Sequence, residues 1–140
     1  MDVRIGEKWF ADAISNVPHS NEAKAYVVGV YSRFIITSDG DLSKDAIVTR
    51  FSAARTSGNF AEFQRIGDWI LWVDTFCPES IRNRELIESI GRLSYYTCHR
   101  IMLGRWKVYE ELADNLPKLV IDARIALNNN ITPRIKSPGQ

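Results

Sequence analysis

Apolar residues recur along most of this chain at the three-to-four-residue spacing of amphipathic α-helices. The clearest signal comes from two long helical patterns, one on each side of Cys77-Pro78. In the first pattern, Asn59 and Glu62 have the spacing of a capping box, and a continuous apolar arc follows as far as Phe76. Because proline is tolerated in the first turn of a helix, Pro78 favours a second helix that runs back along the first. The pattern predicts a central antiparallel helical hairpin.

Further helical segments are predicted around this hairpin. The second hairpin helix is expected over residues 79–103, and shorter patterns predict helices over 3–17, 20–37, 44–55, 105–115 and 118–127. The last two are separated at Pro117, whose ring and missing N–H interrupt helical hydrogen bonding. We therefore expect an all-α fold, a compact multi-helix bundle of about six to seven helices. Residues 1–130 form its single domain, and the aperiodic stretch 131–140 is expected to be a disordered tail.

Composition is that of an ordinary soluble globular protein. The chain has 140 residues, of which 45% are hydrophobic and 25% charged, and its net charge is +1. The longest apolar run, from Trp69 to Val73, is too short to cross a bilayer, and the start of the chain lacks the pattern of a signal peptide. These features predict a cytoplasmic protein without membrane contact. Cys77 and Cys98 fall on predicted apolar arcs and are expected to be buried free thiols.

A polar stripe on the second hairpin helix is the strongest candidate for a functional surface. Glu88, Arg92, Tyr95 and His99 are spaced so that they stack along one side of that helix, with Tyr96 beside them. We expect this polar stripe to face outward, where two tyrosines indicate a contact. The predicted core arc on the other side consists of Leu86, Ile87, Ile90, Leu93, Thr97, Cys98 and Ile101. A ridge of small residues is formed by Gly91, Ser94 and Cys98.

Trp72 of the first hairpin helix falls within its polar arc, beside Asp68. A tryptophan there either packs against another part of the fold or anchors an interface, because tryptophan is enriched at interface hot spots. The leading hypothesis is a non-enzymatic interaction module that self-associates or docks on a protein partner. Its predicted contact residues are Trp72, Asp68, Glu88, Arg92, Tyr95, Tyr96 and His99.

The alternative hypothesis is a small helical enzyme or ligand-binding protein with a pocket near Glu88, Arg92, Tyr95 and His99, since an imidazole beside a carboxylate and a phenol can transfer protons. The sequence shows no catalytic constellation, so we assign no catalytic residue and no cofactor. It also predicts no metal site, because neither histidine has a second ligand at metal-binding spacing.

Nucleic acid is a weaker candidate partner. The arginine-rich end of the second hairpin helix and the basic tail favour it, but Asp68 and Asp74 flank Trp69 and Trp72 and would repel phosphate. Short phrases such as Gly67-Asp68-Trp69 resemble those of a helical bacterial family, and this resemblance implies no activity.

Overall fold

The computed structural model describes residues 3–37 and 44–136, with side chains described for residues 7–34 and 46–129. Within these residues the chain forms six α-helices and no strand, which confirms the predicted all-α bundle. The helices are α1 (Val3–Ala13), α2 (Asn21–Thr37), α3 (Lys44–Ser57), α4 (Phe60–Phe76), α5 (Arg84–Ile101) and α6 (Lys107–Lys136). A 3-10 turn (Pro78–Ser80) connects α4 to α5. None of the described helices is long and apolar enough to span a bilayer.

The α4–α5 hairpin is the centre of the bundle, as predicted. The two helices are antiparallel, since Gly67 lies against Tyr95 at one end and Asp74 contacts Arg84 at the other. Helix α6 packs along α5 as extensively as α4 does, while α1 and α2 form a second hairpin and α3 lies along α4. Helices α4, α5 and α6 therefore form the most extensively packed part of the bundle.

Side-chain caps fix where the hairpin helices begin. The Asn59 side chain accepts a hydrogen bond from the N–H of Glu62 at 3.3 Å, so the predicted cap of α4 is confirmed. Helix α5 begins later than predicted, because Asn83 caps it by accepting from the N–H of Leu86 at 3.2 Å. The proline at position 78 instead starts the 3-10 turn.

Helix α6 runs through Pro117 without a break, so the predicted division into two helices is wrong. The missing N–H of Pro117 leaves the carbonyl of Ala113 without its helical donor. The Nε–H of Arg92 on α5 donates to that carbonyl at 2.8 Å. The helix is described as far as Lys136, and residues 137–140 lie outside the described residues. The predicted boundary between domain and tail at residue 130 remains a prediction.

A single hydrophobic cluster joins the described helices. Aliphatic residues make up most of it, three buried tyrosines are packed among them, and glycines let the helices approach closely. A Cβ on Gly91 would lie 2.8 Å from Leu116 of α6 and 3.0 Å from Ile70 of α4. Large, fully buried side chains include Phe10, Tyr31, Ile47, Ile66, Ile70, Leu71, Ile87, Tyr95, Tyr109, Leu112 and Leu116.

Candidate interaction surface on helix α5

Most of the polar stripe of α5 packs against α6 or α4, so the predicted outward placement is wrong for these residues, and only Arg92 is exposed. The Tyr96 hydroxyl donates a hydrogen bond to the carboxylate of Asp114. The His99 imidazole lies 3.5 Å from the carboxylate of Glu110, and its side chain is only 21% exposed. Arg92 also donates a hydrogen bond to the backbone carbonyl of Ala113 on α6. Together these three contacts hold α5 and α6 in register. Their role as contacts to a partner remains a prediction.

Tyr95 and Asp68 form a buried pair between α5 and α4. The Tyr95 hydroxyl donates to Oδ1 of Asp68 at 2.8 Å, and Tyr26 of α2 donates to the same oxygen at 2.7 Å. Arg33 donates to Oδ2 at 2.9 Å. Burial raises the pKa of Asp68 although these three bonds oppose the shift, and burial with the adjacent carboxylate raises the pKa of both tyrosines. The tyrosines therefore stay protonated as donors, and Asp68 links three helices inside the fold.

Glu88 belongs to a second charged cluster, which is centred on the fully buried Asp74 of α4. Oδ1 of Asp74 accepts from Arg84 and lies 3.8 Å from a guanidinium nitrogen of Arg124. Oδ2 of Asp74 has no hydrogen-bond donor among the described protein atoms. Burial raises the pKa of Glu88, and the neighbouring Asp74 carboxylate raises it further. A proton on Glu88 can supply the donor that Oδ2 lacks.

Trp72 is partly buried in an aromatic cluster between α2 and α4. Its ring stacks on Phe34 with a centroid distance of 5.8 Å and an interplanar angle of 17°. The Phe76 ring lies 4.3 Å away and that of Tyr31 lies 6.3 Å away. The structure thus gives Trp72 a packing partner inside the fold, which is one of the two roles that its position in the sequence allows.

Apolar side chains occupy the outer side of α5. Leu86, Leu93 and Ile101 are 41%, 49% and 39% exposed. At the helical repeat they lie within about 80° of one another and extend over about 22 Å, so they form a stripe along one side of the helix at intervals of about two turns. All three belong to the predicted core arc, and for these residues that prediction is wrong.

This stripe continues into the turn between α5 and α6, where Leu103 is 82% exposed and Trp106 is 51% exposed. Leu103 has a φ of +55°, a left-handed conformation that costs a residue with a Cβ about 1 kcal/mol. We call the combined surface of Leu86, Leu93, Ile101, Leu103 and Trp106 the outer apolar face. An exposed apolar surface of this extent is typical of a binding site.

Other features of the described residues are weaker candidates for a functional site than the outer apolar face. A groove of 690 Å³ lies between α1 and α2, lined in part by Ile14, Val28 and Gly29, and it contains none of the residues predicted for a ligand pocket. Among the described residues, no three side chains of His, Cys, Asp or Glu cluster as metal ligands.

Both cysteines are free, but only Cys98 is buried, and burial raises its pKa to about 12. Cys77 is exposed, contrary to prediction.

Fold and site together define an all-α bundle in which the polar stripe of α5 contacts α4 and α6 and the other side of α5 presents exposed apolar residues. Comparison with family models, curated proteins and solved structures finds no match to this chain. The outer apolar face is therefore the strongest candidate for a functional surface in the described residues.

Proposed function

We propose that this protein is a non-enzymatic protein-interaction module and that the outer apolar face of α5 is its contact surface. One observation carries the proposal, namely that five large apolar side chains are exposed along one helix and the turn that follows it. Fully burying an exposed leucine contributes about 1.5–3 kcal/mol, so a partner that covers these side chains, which are 39–82% exposed, gains a corresponding fraction from each. Trp106 is the natural anchor, because tryptophan dominates binding energy at many interfaces.

The polar stripe supports this surface from behind. Arg92, Tyr96 and His99 fasten α5 to α6, and Tyr95 fastens it to α4. A helix held from two sides presents a rigid outer face, and rigidity lowers the entropy lost on binding. The residues predicted as contacts thus have a positioning role in this proposal.

A second candidate function is ligand binding or acid–base chemistry at Glu88. The position of Glu88 beside the buried Asp74 favours it, because a carboxyl group whose pKa is raised can exchange a proton with a ligand. The complete burial of Asp74 leaves Glu88 as the group that a ligand would reach. A cytoplasmic location and the absence of nucleic-acid binding remain predictions from the sequence.

The experiment compares wild type with Leu93→Asp and with a matched control, Ile121→Asp on α6. Leu93 is 49% exposed and Ile121 is 52% exposed, so neither substitution buries a charge in the core. Chemical cross-linking in an extract of the native host, followed by mass spectrometry, measures capture of protein by each variant. We expect Leu93→Asp to lose a cross-linked species that wild type and the control retain.

Circular dichroism and the thermal unfolding midpoint establish that all three proteins are equally folded. The proposal is wrong if the three proteins give the same cross-linked species in the same amounts.

A further inference from the structure

We infer that the occupant of the outer apolar face is the same face of a second copy, with the two α5 helices antiparallel. This inference rests on the proposed function, because it names the partner of that surface. Closed symmetric pairs are the commonest soluble oligomers, and they require a surface that complements itself. Both the spacing of the apolar residues and the charges along α5 meet that requirement.

The apolar stripe is nearly symmetric about Leu93. Leu86 precedes it by seven residues and Ile101 follows it by eight. When a twofold axis passes through Leu93, the two copies of Leu93 meet, and Leu86 of each copy meets the Ile101 region of the other. Thr97 lies between Leu93 and Ile101 and is half-buried, so it can join these contacts, whereas Ile90 is buried in the core of its own chain. Apolar contacts then extend along most of α5.

The charges along α5 favour the antiparallel arrangement over the parallel one. Exposed acidic side chains lie at its start, at Glu79 and Glu85, and exposed basic side chains lie at its end, at Arg100, Arg105 and Lys107. An antiparallel pair brings the basic end of one copy to the acidic start of the other, twice by symmetry. A parallel pair brings the basic ends together, where like charges repel.

Other charged residues near these ends do not reverse that pattern. Arg84 is neutralised by Asp74 of its own chain, which leaves Arg82 as an exposed cation among the acidic residues. At the basic end, Glu110 approaches His99 and faces α6. Acidic side chains therefore still outnumber free basic ones at the start of α5, and basic side chains outnumber acidic ones at its end.

The turn after α5 extends the same contact. Leu103 and Trp106 lie beyond the last residue of the helix, so in an antiparallel pair they reach past the start of the other copy's α5. Ile81 lies there, and it is half-buried within its own chain. In this arrangement the highly exposed Leu103 lies near that apolar position of the second copy.

Cysteine cross-linking tests both the pairing and its direction. The purified full chain carries Cys77→Ser, which removes the exposed thiol, together with either Leu93→Cys or Leu86→Cys. We expect mild oxidation to link Leu93→Cys into a covalent dimer, because the two copies of that position meet at the axis. We expect Leu86→Cys alone to remain monomeric on a denaturing gel, and a mixture of Leu86→Cys with Ile101→Cys to form a dimer containing both variants.

The outcomes separate this inference from the proposed function. Efficient linking of Leu86→Cys to itself indicates a parallel pair and overturns the inference. Light scattering that shows a monomer over the whole micromolar range also overturns it. In either case, the proposed function is still supported if Leu93→Asp loses a cross-linked host protein that wild type retains. If the protein is a monomer and Leu93→Asp loses no cross-linked species, both the inference and the proposed function are wrong.

Discussion

Arg92 provides the hydrogen bond that Pro117 cannot make. In a regular α-helix the carbonyl of Ala113 accepts from the N–H four residues later, which is the position that the proline occupies. An unpaired carbonyl in the interface between α5 and α6 would cost about 1–3 kcal/mol. The guanidinium of Arg92 reaches it from α5 at 2.8 Å, so the proline is accommodated by a contact between two helices. The same contact fixes the register of α6 against α5.

This relationship predicts an energetic coupling between the two residues. We expect Arg92→Met to lower the free energy of unfolding by about 1–3 kcal/mol in wild type. In a Pro117→Ala background the loss should be much smaller, because a backbone N–H is restored at position 117. Denaturant unfolding of the four proteins in this double-mutant cycle measures the coupling. Purely additive effects would show that Arg92 does not compensate for the proline.

Two glycines in helix interiors should respond to alanine in opposite directions. A Cβ on Gly67 would lie 2.8 Å from the ring of Tyr95, which its bond to Asp68 holds in place. Overpacking costs about 1–3 kcal/mol, and this outweighs the gain of about 1 kcal/mol in helix propensity. Gly29 has no atom within 4 Å of a Cβ, so Gly29→Ala should stabilise the fold by about 0.5–1 kcal/mol. Chemical unfolding measures both; a stabilised Gly67→Ala would contradict this packing argument.

Removal of the Asp68 carboxyl group should destabilise the fold because it leaves two tyrosine hydroxyls without their acceptor. Each unsatisfied buried donor costs about 1–3 kcal/mol, so Asp68→Ala should lower the free energy of unfolding by about 2–5 kcal/mol. Asp68→Asn keeps an acceptor oxygen for Tyr26 and Tyr95 and should cost distinctly less. Equilibrium unfolding of both variants at one pH gives the comparison. Equal losses would mean that the hydroxyl bonds contribute little.

Glu88 should make the stability of the protein depend on pH. Its pKa is raised in the folded state above the ordinary 4.5, so its contribution is fully present below that value. As the pH rises through the folded pKa this contribution is lost, because the unfolded chain releases the proton more readily. In Glu88→Gln the part of the decline that is due to Glu88 should be absent, and the amide can donate to Oδ2 of Asp74. Unfolding free energies of wild type and Glu88→Gln from about pH 4 to about pH 8 test this, because Asp68 makes the same contribution in both proteins. Parallel curves of free energy against pH would show that the raised pKa of Glu88 does not contribute.

Local patterns in the sequence predict the hairpin but misplace the buried side of α5. The capping box at Asn59 and the apolar arc of α4 depend on neighbouring residues, and the structure confirms both. On α5 the apolar residues indicate one face, whereas the buried face also includes Gly91, Ser94 and Tyr95. That face is buried because its small residues let α4 and α6 approach.

The ridge of small residues is the pattern in the sequence that marks the buried face of α5, whereas the positions of its leucines do not. The polar contacts that define the site had no comparable signal. Asp68 and Tyr95 are 27 residues apart, and Arg92 acts on a carbonyl of a different helix. Only the packed structure brings such groups together, because no repeat or spacing in the sequence relates them.

The two thiols differ enough to serve as separate chemical reporters. Cys77 is exposed, whereas Cys98 is fully buried on the inner side of α5, and its pKa is raised to about 12. A maleimide should therefore label Cys77 at once and reach Cys98 only when the helices around it separate. The slow second labelling step then records how often this bundle opens, without any substitution in the chain.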